Sequence, residues 1–209
     1  MRDLVLIGGG GHASDVLGAI EAINAVEPRF HVLGYFSDDV TPEPRLERRA
    51  VRRLGIPEDS SRFPEAGVVL AVGYPSARAV VAQRIATDVG WSPQLVHPAA
   101  IVGSGAIVSD GSVVLAGATL SPDVRIERHA YVSQLCSIGH DTVVGTMSSV
   151  MPGAMVSGDV QLGARVMVGT GAVVLQGLTV GDDAVVGAGA LVTKDVPAGV
   201  VAKGSPARW

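Results

Sequence analysis

Cysteine is almost absent from the 209 residues: Cys136 stands alone, so no internal disulfide framework is available and a reducing compartment is expected. Aromatic residues make up only 4% of the chain, so the core must be built from Val, Ile, Leu and Ala, which suggests a narrow, regular interior. Positive charge is not in excess. Sixteen Lys and Arg against 20 Asp and Glu leave a net charge of −4, which removes the basic footprint of a nucleic-acid-binding protein. No apolar run approaches a membrane span, and Leu4–Ile7, close behind Met1, is too short for a signal peptide. The expectation is a soluble, cytoplasmic protein. Glycine, by contrast, is abundant, with 27 residues against a much lower average usage.

Those glycines belong to a repeat. Every sixth residue from Val102 to Val192 is Val, Ile or Leu, sixteen positions without a gap. Four residues after each, from Ala106 to Val196, stands a second series of small or apolar residues. Six is not a multiple of the helical 3.6, and β-branched residues dominate, so a helix is excluded. Six residues make a short strand and a corner, with one branched side chain pointing inward and a small one sharing the interior. Stacked coils about 4.8 Å apart then turn equivalent positions into ladders. Glycine follows the branched residue at Gly139, Gly145, Gly163, Gly169, Gly181 and Gly187, where a tight or positive-φ corner is expected.

The first ninety residues follow another plan. Leu4–Ile7 reads as a buried strand that breaks into Gly8-Gly9-Gly10-Gly11-His12-Ala13. Residues 14 to about 26 have helical spacing, with Val16, Leu17, Ile20 and Ile23 on one face. His31–Phe36 ends at Asp38-Asp39, and Val68–Val72 ends at Gly73 before a helix from about Ser76 to Val89. Strand–helix–strand order with glycine-rich strand ends predicts a parallel, Rossmann-like βαβ sheet over residues 1–95. The formal match to G-x-G-x-x-A covers only half of a dinucleotide fold, so a nicotinamide cofactor is not expected. The glycine loop and helix N-terminus offer N–H groups to a phosphate. Asp38 and Asp39 lie where open α/β sheets bind ligands, and either accept hydrogen bonds from a base or ribose or are solvated turn residues. The arginine-rich stretch from Thr41 to Phe63 reads as a solvated connection, with contact to substrate phosphates as the sharper alternative.

Over residues 96–209 the pattern resembles the hexapeptide-repeat acyltransferases, whose domain is a left-handed parallel β-helix with three hexads per coil, so the sixteen hexads imply roughly five coils. The handedness is implied by that resemblance and runs against the usual crossover preference. The tail Lys203-Gly204-Ser205-Pro206-Ala207-Arg208 also resembles the segment that closes the acyl-CoA groove in that family. With the N-terminal features added, the whole chain resembles the bacterial sialic-acid, bacillosamine and perosamine type of sugar O- and N-acetyltransferase. Gly8 to His12, Asp38-Asp39 and Gly73 stand where that family holds its substrate, and in nucleotide-sugar members this half holds the nucleotide. The resemblance implies acetyl-CoA as co-substrate, a nucleotide-linked amino sugar as acceptor, no metal and a homotrimer. By matching positions it places Ser149, Gly158, Thr170 and Ala188 along the acetyl-CoA groove. Gly158 leaves room for the acyl chain, and Lys203 is either a CoA-phosphate ligand or a surface lysine.

Acyl transfer needs a base for the acceptor's proton. Of five histidines, His31 opens a strand, His97 precedes Pro98 at a turn, and His129 faces outward in a structural role. His12 touches substrate or caps its helix. His140 sits two positions past the inward Ile138, outside the coil, next to Asp141. The resembling enzymes carry His-Glu or His-Asp in this hexad, which implies His140 as general base and Asp141 as the group that holds its tautomer. O-acetylation of sialic acid or another sugar hydroxyl is the alternative, because the same base serves both. A carbonic anhydrase on this scaffold needs a three-histidine zinc site, and His129 and His140 lack an obvious third. A non-catalytic scaffold would not need the His140-Asp141 pair.

Overall fold

The computed structural model describes residues 1–41, 43–85 and 91–209. Strand β1 (Arg2–Ile7) pairs in parallel with β2 (Phe30–Phe36) on one side and β4 (Gly67–Leu70) on the other. A short strand β3 (Arg53–Gly55) extends the sheet beyond β2, giving the order β3-β2-β1-β4. Leu4, Val5, Leu6 and Ile7 are all fully buried, as expected of a parallel strand covered on both faces. Alternation divides them. Leu4 and Leu6 pack with Val16, Leu17, Ile20 and Ile23 of helix α1 (Gly11–Val26). Val5 and Ile7 pack with Val81 and Ile85 of helix α3 (Pro75–Ile85). Helix α1 begins three residues before the expected Ser14, directly on the glycine loop. The expected stretch of α3 beyond Ile85, to Val89, lies outside the described residues.

The stretch from Thr41 to Phe63 is more than a solvated connection. It holds a four-residue helix α2 (Pro44–Glu47), strand β3 and a 3₁₀ turn over Pro57–Arg62, and it buries Leu46 completely. Three of its arginines reach backbone carbonyls, Arg53 donating twice to Ser37, Arg49 to Ser14 and Arg62 to Leu54, while every arginine of the stretch except Arg53 remains exposed, as expected.

From Leu95 onward, two-residue strands stack in parallel into three faces of seven, six and five strands. The seven-stranded face runs from Leu95–Val96 through Tyr131–Val132 to Val201–Ala202. The six-stranded face runs from Ile101–Val102 to Leu191–Val192, and the five-stranded face from Ile107–Val108 to Thr179–Val180. The first strand, Leu95–Val96, straddles the expected division after residue 95. Partners stand eighteen residues apart, as in Ile126↔Val144 and Val150↔Val168. Every ladder residue from Val114 to Val192 is buried, whereas Val102 at the open end is 43% exposed. The second interior series is buried too, except for the partly buried Ala106 and Leu178. Its polar members Ser112, Thr142 and Ser148 each donate to a carbonyl fifteen residues ahead, so no hydroxyl is left unpaired in the core.

The corner glycines work differently from expectation. Gly139, Gly145, Gly163, Gly169, Gly181 and Gly187 do not have positive φ. A Cβ on most of them would strike the backbone of the next coil, so they are clearance residues. The left-handed position comes two residues later and is filled by Gly or, at Asp123, His129, Leu135, Asp141, Met147, Asp159, Arg165 and Asp183, by side-chain-bearing residues. In the last coil, Val180 pairs with Val196 and Val186 with Ala202, sixteen residues apart instead of eighteen. The chain then folds back between Lys203 and Arg208. At the other end, Leu95, Val113, Leu115 and Tyr131 share one apolar cluster with β1 and α1, so the sheet half rests on the first strands of the seven-stranded face.

Candidate active site

A cavity of about 680 Å³ opens where the two halves meet. One wall is the loop Gly8–Gly11 with His12 and Asp15; a second is Ala71–Tyr74; the third belongs to the β-helix, with Tyr131, Met151, Met167, Gly169, Thr170 and Ala188. The glycines make this approach possible. A Cβ on Gly8, at φ +121°, would meet the Ala71 carbonyl, and one on Gly9 would meet the Tyr35 ring. Gly10 is the N-cap of α1, with no side-chain cap and no acidic residue in the first turn. The N-terminal N–H groups of α1 therefore keep their positive end for a ligand. Nη1 of Arg45 lies beside Gly11, 3.4 Å from where a Cβ would stand.

His12 does not cap α1. Its ring packs on Tyr131 at 3.9 Å between centroids, and Nε2 is buried without a partner. Burial and the nearby charge of Arg78 hold its pKa down to about 3, so it is a neutral imidazole with an unused polar atom. Partial burial pushes the Asp15 carboxyl upward. Gly73 closes over His12, with Nδ1 3.4 Å from the position of a Cβ.

A second cavity of about 370 Å³ shares Gly8 and Val72 with the first and is lined by Ser37, Asp38, Asp39, Val80 and Arg84. The two aspartates are not equivalent. Both oxygens of Asp38 accept from Arg84, at 2.7 and 2.8 Å, and Arg84 also grips Glu58. That bond holds the Asp38 carboxyl below its ordinary value and leaves it little capacity for a ligand. Asp39 accepts the N–H of Thr41 and, among the described residues, makes no ion pair.

His140 and Asp141 stand on a different corner, between the six- and five-stranded faces. His140 Nδ1 lies 2.8 Å from Asp141 Oδ2, and both side chains are exposed. The left-handed conformation of Asp141, φ 59°, turns the shorter carboxylate back to the ring, which resolves how Asp reaches where Glu has one more methylene. With Nδ1–H donating to Asp141, Nε2 is the free acceptor. Gly158 lies directly beneath: a Cβ there would stand 2.5 Å from Nε2. The space over Gly158 is filled by the imidazole, a correction to its expected role as room for an acyl chain.

Ser149 also departs from expectation. It is fully buried, donates to the Gly73 carbonyl and accepts from Arg78, so it cannot line an open groove. Thr170 and Ala188 are exposed on the cavity wall. Lys203 is exposed in the closing turn, and the small cavity at that end is lined by Lys194, Ala207, Arg208 and Trp209. Lys194 lies three coils beyond His140 on the same corner, in the stack His140, Gly158, Gln176, Lys194. His129, expected to face outward in a structural role, is half-buried. It packs over Gly111 with Nδ1 unpartnered, and its pKa is depressed to about 4 by burial and neighbouring arginines. His31 is exposed beside Asp3, and His97 accepts from the Ala99 N–H at a turn. Among the described residues no group of His, Cys, Asp and Glu is arranged to hold a metal ion, and no helix is long and apolar enough to cross a membrane.

Arg45 belongs to the arginine-rich stretch for which contact with substrate phosphates is the sharper alternative; sequence reasoning missed Tyr131, Met151, Met167 and Arg78. Only Tyr131 left a trace, as an aromatic at an outward strand position in a nearly aromatic-free repeat.

Residues 3–85 match the PglD N-terminal domain, and residues 159–194 match the bacterial transferase hexapeptide repeat. No curated protein matches the sequence significantly. Among solved structures, the acetyltransferase domain of PglB from Neisseria gonorrhoeae is similar over 100% of this chain and 99% of its own, at 27% identity and TM-score 0.88. The same domain with acetyl coenzyme A matches at 28% identity over 99% of this chain and 98% of that one, TM-score 0.86. PerB from Caulobacter crescentus, in complex with CoA and GDP-perosamine, matches at 27% identity over 100% and 97%, TM-score 0.87. These likenesses establish the left-handed hand of the β-helix and the Rossmann-like character of the first half.

Proposed function

We propose that this chain, with its PglD-type N-terminal match, its hexapeptide repeats and its full-length likeness to sugar acetyltransferase structures, moves the acetyl group of acetyl-CoA to the amino group of a nucleotide-linked amino sugar. The observation that carries this reading is the shared cavity, where a phosphate-type glycine loop faces the corners of the acyltransferase helix. Its smaller neighbour, joined through Gly8 and Val72, has space for a base beside Asp39. A diphosphate then lies over Gly10, Gly11 and Arg45, and the sugar reaches toward His12 and Gly73. The complex of PerB with GDP-perosamine supports this acceptor class.

In this reading the amine lone pair attacks the thioester carbonyl carbon as His140 Nε2 takes the amine's proton. The C–S bond then breaks, and the proton passes to the leaving thiolate. Asp141 accepts from Nδ1–H and so keeps Nε2 unprotonated toward the acceptor. Thr170 and Ala188 line the path of the pantetheine arm, and Lys194 with Arg208 offers charge for the CoA phosphates.

His140 and the shared cavity sit on opposite edges of the six-stranded face. That face presents Ile101, Thr119, Ser137, Met155, Val173 and Leu191 outward, without a charge. A homotrimer closed through it joins each cavity to a neighbour's His140, consistent with closed three-fold symmetry.

The test combines two assays. A thermal-shift screen of UDP-, dTDP-, GDP- and CMP-linked amino sugars should single out one nucleotide by mass action. Thiol release from acetyl-CoA should then need that sugar's amine. Release with a sugar hydroxyl and none with an amine would replace N- by O-acetylation; no release with either would end the reading.

A further inference from the structure

Arg78, on α3, is 1% exposed and points out of the sheet half into the β-helix. Its Nη1 donates to the carbonyls of Val72 at 2.7 Å and Gly73 at 3.3 Å. Its Nη2 donates across the junction to the carbonyls of Met147 at 2.6 Å and Ser148 at 3.1 Å, and to Ser149 Oγ at 2.9 Å. Ser149 Oγ donates back to the Gly73 carbonyl at 2.9 Å, so Gly73 is pinned from both sides. Among the described residues no carboxylate pairs with this guanidinium, and Nε has no partner.

A buried charge held by carbonyls and a hydroxyl, with no counter-charge, is a poor source of stability, because an apolar side chain of similar volume packs without losing the charge's hydration. A rigid planar fork does what an apolar side chain cannot. It fixes the distance and angle between the two backbones it binds. Both backbones border the cavity: Gly73 and Tyr74 form its rim, and Met151 and Pro152 follow the strand that begins at Ser149. We infer that Arg78, with Ser149, is a positioning residue that sets the sugar-binding loop at Gly73 in fixed alignment over the acyl-binding corners of the β-helix. Its kinetic consequence rests on the acetyltransferase reading above; its geometric consequence does not.

The full chain carrying Arg78→Met, Arg78→Lys or Ser149→Ala is compared with the unaltered protein in two arms. In the first, turnover per folded molecule falls on the order of 10²-fold in Arg78→Met, the scale expected for reactants misplaced by about 1 Å. Acetyl-CoA binding stays unchanged, and Arg78→Lys does not restore turnover, because one ammonium cannot reach both sets of carbonyls. In the second, spin labels at Ala25→Cys and Gln161→Cys, diluted with unlabelled protein, report the separation of the halves; Cys136 is buried and stays unlabelled. The distance distribution is narrow in the parent and broad in Arg78→Met. If that variant does not fold, Ser149→Ala shows the same two changes to a smaller degree. Unaltered turnover per folded molecule with an unaltered distribution would overturn the role. Absence of acetyl transfer in the parent would end the functional reading, and the distance arm would still decide the alignment.

Discussion

In the β-helix each residue's surroundings recur every eighteen positions, whereas in the sheet half each contact occurs once. Val150 pairs with Val168 as Ile126 pairs with Val144, and the inward side chain meets the same neighbours in every coil. By contrast Leu46 is buried by one four-residue helix, and Arg53 is held by one carbonyl. A repeated environment is fixed by a short rule, and errors in it propagate along the stack. Single environments depend on particular side chains, and they are where the ligand-facing loops are found.

A side chain added to one glycine in each half separates the two kinds of environment. Gly139→Val drives a side chain into the backbone of residues 157–158, so stability should fall by about 3 kcal/mol, at the upper end of overpacking costs. In a chain of this size that lowers Tm by roughly 6–12 °C. Gly10→Ala meets nothing within 4 Å and should leave Tm unchanged in the same melting experiment. Equal losses from the two would remove the distinction between coil clearance and loop glycine.

The junction between the halves offers a second contrast, read by pH. His12 and His129 have folded pKa values near 3 and 4, below the unfolded value near 6.5. Below pH 6.5 the unfolded chain binds protons that the folded protein excludes. Stability should therefore fall as pH drops from about 6.5 toward 4, by at most about 1.4 kcal/mol per pH unit for each histidine. His12→Asn and His129→Asn should each flatten that slope in melting curves taken from pH 7 to 5. A slope unchanged by either substitution would assign the acid sensitivity to other groups.

How much of this was legible in sequence follows the same division. The period of six exposed the ladders from Val102 to Val192, because burial there depends on local spacing. It also placed His140 on the outside, since outwardness is a matter of register. It did not reveal that the corner glycines give clearance rather than positive φ, because clearance belongs to the next coil, eighteen residues away. Ser149 was assigned to a groove by position, but the side chain that buries it, Arg78, lies 71 residues earlier in the chain. The arginines between Thr41 and Phe63 read as solvated, which holds for all but Arg53; nothing in their spacing shows that Arg53 will bind the Ser37 carbonyl. Asp38 and Asp39 looked alike until Arg84 took one of them.

That inequality gives the smallest effect. Asp39→Ala should raise the KM for the nucleotide sugar roughly three- to tenfold, the loss of one hydrogen bond to a ligand. Asp38→Ala should raise it less, and neither should change acetyl-CoA affinity. A larger effect at Asp38, measured by initial rates at saturating acetyl-CoA, would show that Arg84 releases it when ligand binds.

If the His140-Asp141 pair on the outer corner performs the proton transfer, turnover of His140→Ala decides it. The expected result is a fall in kcat on the order of 10²–10⁴-fold, as for loss of a general base. Tm and acetyl-CoA affinity should hardly move, because the side chain is exposed and outside the core. Asp141→Asn should cost less, on the order of tenfold, since the pair is exposed and partly screened. Near-normal turnover in His140→Ala, with the protein folded and acetyl-CoA bound, would contradict the account and move the search for the base to His12.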